Sequence, residues 1–188
     1  RAKDEFAAQL QRERVDVAGW RKVPVDLDAC GELARRTMPR IEQIFVKPAG
    51  AFDAASFQRS LFLARRRAEQ RLSDLPDFYV VSLSTASIGY KGMVLPNRLT
   101  QLYPDLQRAD LAASVVVFHQ RFSTNTTPRW PLAQPFRLLA HNGEINTISG
   151  NRAWAQARAH VWRTPNLELT EFDPVITMDG SDSQSLDN

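Results

Sequence analysis

The chain of 188 residues has a single cysteine, Cys30. An intrachain disulfide is therefore impossible, which suits a reducing compartment. The three histidines, His119, His141 and His160, include no pair at i, i+4. With one isolated cysteine, they give little basis for a metal site. No apolar run approaches the roughly 20 residues that span a bilayer, and the opening residues show no signal-peptide pattern. There is no internal repeat and no low-complexity tract. Basic charge is not concentrated either. The net charge is +3, and Lys and Arg alternate with acids along the chain, unlike the basic face or stripe of a nucleic-acid binder. These absences exclude a membrane span and argue against a nucleic-acid partner. They leave a globular domain, expected in the cytoplasm. The length fits one domain or most of one. The chain opens on Arg1 and stops at Asn188 without a closing element. Residues 1–188 are thus expected to be part of one domain, truncated at both ends.

What is present alternates between helical and strand patterns. The opening AKDEFAAQLQRERV predicts a helix, with Phe6 and Leu10 four residues apart. Gly19 and Pro24 punctuate the next stretch. A short helix is expected within 26–37, before Pro39, and a strand over 41–46. A longer helix spans about 54–72, with Phe57, Leu61, Ala64, Ala68 and Leu72 on one face. Strands are expected at 78–84 (FYVVSLS), returning at 87–95, at 113–120 (ASVVVFHQ, the best buried-strand candidate) and at 136–142 (FRLLAHN). Thr147 is placed to cap a last full helix striped by Ile148, Ala155, Ala159 and Trp162. Beyond Thr164-Pro165 the chain turns acidic and loop-like, and Ser or Asp in DGSDSQSLDN is placed to cap a further helix.

The chemistry-bearing residues cluster from His119 to Asn151. Arg121 comes directly after the best strand, where binding side chains often emerge. Its flat guanidinium fork matches a carboxylate, although a lone arginine there is first of all a surface residue. Ser123, Thr124, Asn125, Thr126 and Thr127 come next. Such side chains satisfy loop backbone or line a polar pocket. Asn142-Gly143 offers a side-chain N–H and a backbone N–H that can converge on one developing oxyanion. Taken alone, Asn-Gly reads first as a type I′ turn. Asp182 offers a carboxylate for a substrate ammonium, or simply a helix cap. No nucleophile accompanies these groups. Cys30, on a short helix with no histidine near in sequence, reads as a small, partly buried thiol. His119 and His141 end apolar runs, where a structural hydrogen bond is the simpler role. The Arg65-Arg66-Arg67 run reads as a solvated helix surface.

Together, HQRFSTNTTPRWPLAQPFRLLAHNGEINTISGNRAW and the later GSDSQSLDN resemble the amino-terminal glutaminase domain of the glutamate synthase large subunit. That domain is a class II glutamine amidotransferase of the N-terminal-nucleophile hydrolase superfamily. RFST or HNGEI alone indicates only the broader class, whereas RWPLAQPFR and NTISGN point to glutamate synthase. Upstream, MPRIEQIFV, LFLARRRAE and DFYVVSLS are similar to the same family, so the resemblance covers nearly the whole chain.

The resemblance implies an α+β fold, a four-layer αββα sandwich, here incomplete. It implies hydrolysis of the glutamine side-chain amide, the ammonia then serving to convert 2-oxoglutarate to glutamate. The family's nucleophile is a cysteine at the mature amino terminus, with its own α-amino group as base. That position lies upstream of Arg1, and Cys30 stands where the family carries no catalytic cysteine. By itself, residues 1–188 are thus expected to be inactive. Motif positions carry over as Arg121 for the glutamine α-carboxylate with Thr124 beside it, Asn142 and Gly143 as the oxyanion hole, and Asp182 for the α-amino group. No cofactor is expected in this segment. FMN and a 3Fe-4S cluster belong to later domains of the same polypeptide, with NADPH or ferredoxin as reductant. Expected partners are glutamine, those domains, and a reductase small subunit or ferredoxin. Two alternatives stand beside this reading: an amidotransferase feeding another acceptor, and a non-catalytic domain that keeps the pocket.

Overall fold

In a computed structural model, residues 1–75, 78–124, 126–163, 169–172 and 174–188 are described. Helix α1 (Ala2–Arg12) leads into strand β1 (Val15–Lys22) through Arg14, whose φ of 59° is the left-handed geometry of a tight reversal. A 3₁₀ turn at Leu27–Ala29 precedes α2 (Glu32–Arg36) and β2 (Glu42–Pro48). Helix α3 (Ala54–Arg71) starts at Asp53, whose carboxylate accepts the Ser56 N–H at 2.8 Å. The remaining helices are α4 (Leu99–Leu102), α5 (Ile148–Arg158) and α6 (Asp182–Asp187).

β1 and β2 pair antiparallel, from Val15 opposite Pro48 to Lys22 opposite Glu42. Gly19 does not end β1, as its punctuation suggested. The register shifts between Val17 and Gly19, so Ala18 is an extra residue in a bulge. Val15, Val17 and Trp20 therefore share one face with Ile44 and Val46, and that face packs on Phe6 and Leu10 of α1 and Leu61, Ala64 and Ala68 of α3. The expected apolar stripe of α3 is thus the one that is buried. A second core gathers Val23, Ala29, Cys30 and Ala34 with Leu102, Tyr103 and Trp130.

Three arginines depart from expectation. Arg65, Arg66 and Arg67 are not a solvated surface. Arg65 pairs with Glu69 at 2.9 Å, Arg66 donates to the carbonyls of Phe172, Pro174 and Val175, and Arg67 pairs with Glu13. Arg65 lies over the Phe62 ring and Arg67 over Phe172, and buried guanidinium groups persist because each has such partners.

Four expected strands also differ. Residues 78–84, 87–95, 113–120 and 136–142 form no ladder among the described residues. The 113–120 segment is the opposite of buried: Val115, Val116, Val117 and Phe118 are 61–81% exposed. Its β-branched composition favours an extended backbone, but a strand also needs a hydrogen-bonded neighbour. The fold is thus mixed helix and strand, with one two-stranded sheet among the described residues.

Candidate functional site

Three segments meet at Gly143. Its φ of +84° lies in the left-handed region, where a side chain is strained. A Cβ placed there would stand 2.1 Å from the Ser123 Oγ and 3.2 Å from the Ser183 Oγ. Glycine is therefore required twice, by conformation and by crowding. Ser123 brings in the segment after Arg121, and Ser183 brings in α6. Thr124 strengthens the first junction, its hydroxyl donating to Glu144 at 2.7 Å. Asp182 strengthens the second, accepting the Ile145 N–H at 3.0 Å while Arg152 of α5 stands 3.9 Å from its other oxygen.

Asp182 is not the cap of α6. Ser181 holds that position, its hydroxyl accepting the Gln184 N–H at 3.1 Å. Thr147, at the N-cap position of α5, makes no capping bond and instead accepts from the Asn151 amide. Arg152 ties the two helices together, donating to Ser185 at 2.9 Å and to the Gly180 carbonyl at 2.8 Å.

The structure brings Thr124, Asn142, Gly143 and Asp182 onto one continuous knot of backbone. Arg121 lies two residues from Ser123 and is exposed, as is Asn142. The Gly143 N–H donates to the His141 Nδ1 at 2.9 Å, so it is already partnered. His119 plays the parallel role at Arg121, its Nδ1 accepting the Arg121 N–H at 3.0 Å. Both histidines thus have the hydrogen-bonded roles expected for the ends of apolar runs. Asn125 and Thr164-Pro165 lie outside the described residues.

Sequence reasoning missed what stands behind the knot. Gln134 and Ser183 are buried. The Gln134 Oε1 accepts the His141 N–H at 2.9 Å and its Nε2 donates to the His141 carbonyl. Ser183 donates to the same carbonyl at 3.1 Å. The only signal in the sequence was that Gln134 falls inside the PLAQP loop, between two polar segments.

A cleft of about 190 Å³ lies apart from these groups, lined by Arg66, Lys91, Phe136, Arg137 and Gln184 among others. Lys91 donates to the Pro131 carbonyl at 2.7 Å, between the rings of Tyr79 and Phe136. Burial, with Arg137 nearby, pushes its pKa down to about 8. Cys30 is enclosed in the second core, where burial pushes its thiol up. That is the reverse of what activates a nucleophile. One cysteine also cannot supply the thiolate set of an iron–sulfur cluster. No group of three His, Cys, Asp or Glu among the described residues is placed to hold a metal. No helix there is long and apolar enough to cross a membrane.

Comparison with known proteins shows the family. The family described as glutamine amidotransferases class-II matches residues 1–188. The NADPH glutamate synthase large chain of Azospirillum brasilense is 46% identical over 175 residues, 91% of this chain and 12% of that one. The ferredoxin-dependent glutamate synthase of Cyanidium caldarium is 45% identical over 95% of this chain and 12% of its own. The NADPH glutamate synthase large chain of Bacillus subtilis is 38% identical over 98% of this chain, again 12% of its own. The chain thus spans about an eighth of the length of these relatives. With the family match running from Arg1 to Asn188, the chain belongs to the class-II glutamine amidotransferases.

Proposed function

We propose that residues 1–188 carry part of the glutaminase half of a glutamate synthase. The parent polypeptide would hydrolyse the glutamine side-chain amide and use the ammonia to convert 2-oxoglutarate to glutamate. One observation carries this reading: the segment after Arg121, the Asn142-Gly143 pair and the Asp182 end of α6 converge on a single glycine. These are the three parts a glutamine pocket needs.

Each part has a role. Arg121 receives the α-carboxylate as a fork, with Thr124 beside it. Asp182 receives the α-ammonium. Its tie to the Ile145 N–H keeps that carboxylate at a fixed distance from the turn. Asn142 and the Gly143 N–H stabilise the oxyanion that forms when a thiolate adds to the amide carbon. The carbon–nitrogen bond then breaks, the leaving nitrogen takes the proton that the cysteine α-amino group removed from the thiol and departs as ammonia, and water cleaves the thioester to glutamate. The Gly143 N–H must leave the His141 Nδ1 to serve, so binding of substrate includes a local turn of that imidazole or peptide.

The reading assigns the nucleophile to an amino-terminal cysteine of the parent polypeptide and leaves Cys30 structural. On this reading the segments at 78–84, 87–95, 113–120 and 136–142 would pair into the sheets of a four-layer αββα sandwich. FMN and an iron–sulfur cluster belong to other domains. The electron donor is NADPH or ferredoxin, as the names of the relatives divide between the two. On this reading the parent works in the cytoplasm, a reducing compartment that suits a segment with one unpaired cysteine.

The test uses the full-length protein. Asn142→Ala lowers its glutaminase kcat by about 10²–10³-fold, while Cys30→Ser leaves it unchanged. Unaltered turnover in Asn142→Ala would sink the oxyanion assignment. Turnover abolished by Cys30→Ser would move the nucleophile. A full-length protein with no glutaminase activity would favour a domain that keeps the pocket without catalysis.

A further inference from the structure

We propose that Gln134 is a positioning residue for the glutaminase reaction, holding the Asn142-Gly143 pair in register with the Arg121 segment. This rests on the function proposed above. Gln134 is 6% exposed, which is unusual for a primary amide unless its groups are satisfied. Its amide matches the backbone of His141 as a neighbouring strand would. The Oε1 accepts the His141 N–H at 2.9 Å, and the Nε2 donates to the His141 carbonyl. The same Nε2 lies 3.5 Å from the Ser123 hydroxyl, and Ser123 is the residue packed against Gly143. One side chain therefore touches both halves of the pocket and stands one residue behind Asn142.

The His141 carbonyl has a second donor in Ser183, at 3.1 Å. The His141 N–H is held by Gln134. Losing Gln134 thus takes the partner from a backbone donor immediately before the turn, and the turn shifts to find another. An oxyanion donor displaced by about 1 Å costs on the order of 10²-fold in rate. The α-ammonium contact is less affected, because Asp182 keeps its own tie to Ile145.

The two informative variants are Gln134→Met and Gln134→Glu in the full-length protein. Gln134→Met lowers the active-site-titrated kcat for glutamine about 10- to 100-fold, with KM moved less than about threefold. Alkylation of the nucleophilic thiol by iodoacetamide, which forms no oxyanion, proceeds at the wild-type rate. Gln134→Glu gives a second reading, with kcat again taken per titrated active site so that pH-dependent loss of folded protein does not enter it. As a neutral acid, Glu offers His141 both an acceptor and a donor. As a carboxylate it offers only acceptors and faces the His141 carbonyl unfavourably. Its kcat relative to wild type therefore rises as pH falls from about 8 to about 5.5, by at least about fivefold, and burial lifts the Glu pKa into that range.

The ionisable side chains around this point are His141, Arg137 paired with Asp187, and Asp182 with Arg152. All are present in both proteins, so their own titration divides out and only their coupling to the new carboxyl enters the ratio. A Gln134→Met kcat within threefold of wild type, or a Gln134→Glu ratio that is flat with pH, overturns the assignment. If Gln134→Met does not fold, the pH ratio decides alone. If wild type has no glutaminase activity, or Asn142→Ala is harmless, the function proposed above fails first.

Discussion

Two regions of this molecule carry the same kind of sequence and put it to opposite use. In residues 1–72, apolar side chains at helical and strand spacing close on one another. Leu10, Leu61, Ala64 and Ala68 are at most 1% exposed. In residues 113–163, equally apolar stretches stay at the surface, with Phe118 81%, Leu138 85% and Trp154 68% exposed. The difference is the partner. β1 has β2 across a hydrogen-bonded register and two helices beneath it. The ASVVVFHQ segment has the composition of a strand and no ladder among the described residues. A strand is a relation between segments, and composition specifies only one side of it.

The comparison can be broken most sharply by a pair of substitutions in the chain 1–188. Leu61→Ala, in the closed region, costs about 2–5 kcal/mol of unfolding free energy. Phe118→Ser, in the open one, stays within about 0.5 kcal/mol. Urea unfolding measures both, and equal losses would erase the contrast.

Lys91 sharpens the comparison at the border between the regions. Its pKa is pushed down from an ordinary value of 10.5 to about 8, first by burial and then by Arg137. The unfolded chain therefore binds more protons than the folded one between about pH 8 and 10.5. Stability rises with pH across that window by up to about 3 kcal/mol relative to Lys91→Met. A wild-type-minus-variant difference that is flat over the window would show the ammonium to be well solvated.

The smallest effect concerns α6, the helix that reaches the site. Ser181→Ala removes the bond to the Gln184 N–H and costs about 1 kcal/mol. An unmoved urea midpoint would place α6 with the open region and not the closed one.

Much of the first region was legible in the sequence. The spacing of Phe6 and Leu10 and the stripe from Phe57 to Leu72 predicted which faces of α1 and α3 are buried, because helical periodicity is local. What failed were statements about neighbours. Gly19 looked like a break, but a bulge absorbs it. Arg66 looked solvated, but three carbonyls from residues 172–175 cover it. At the candidate site, Gly143 stood out by residue type, and its φ of +84° is the left-handed geometry that glycine takes most readily. Gln134 was not, because a buried amide is distinguished from a surface one only by the backbone it faces.

The bulge at Ala18 has a consequence for chain length. Parity normally assigns a strand residue to a face, odd to one side and even to the other. Val15 and Val17 are odd, Trp20 is even, and all three lie over the same helices. Ala18 is the residue that changes the count. Its removal would leave a regular strand with Val15, Val17 and Trp20 still on one side. Ala18 is thus the one position in β1 where the chain carries slack, a place where a residue can be lost while every neighbour keeps its face.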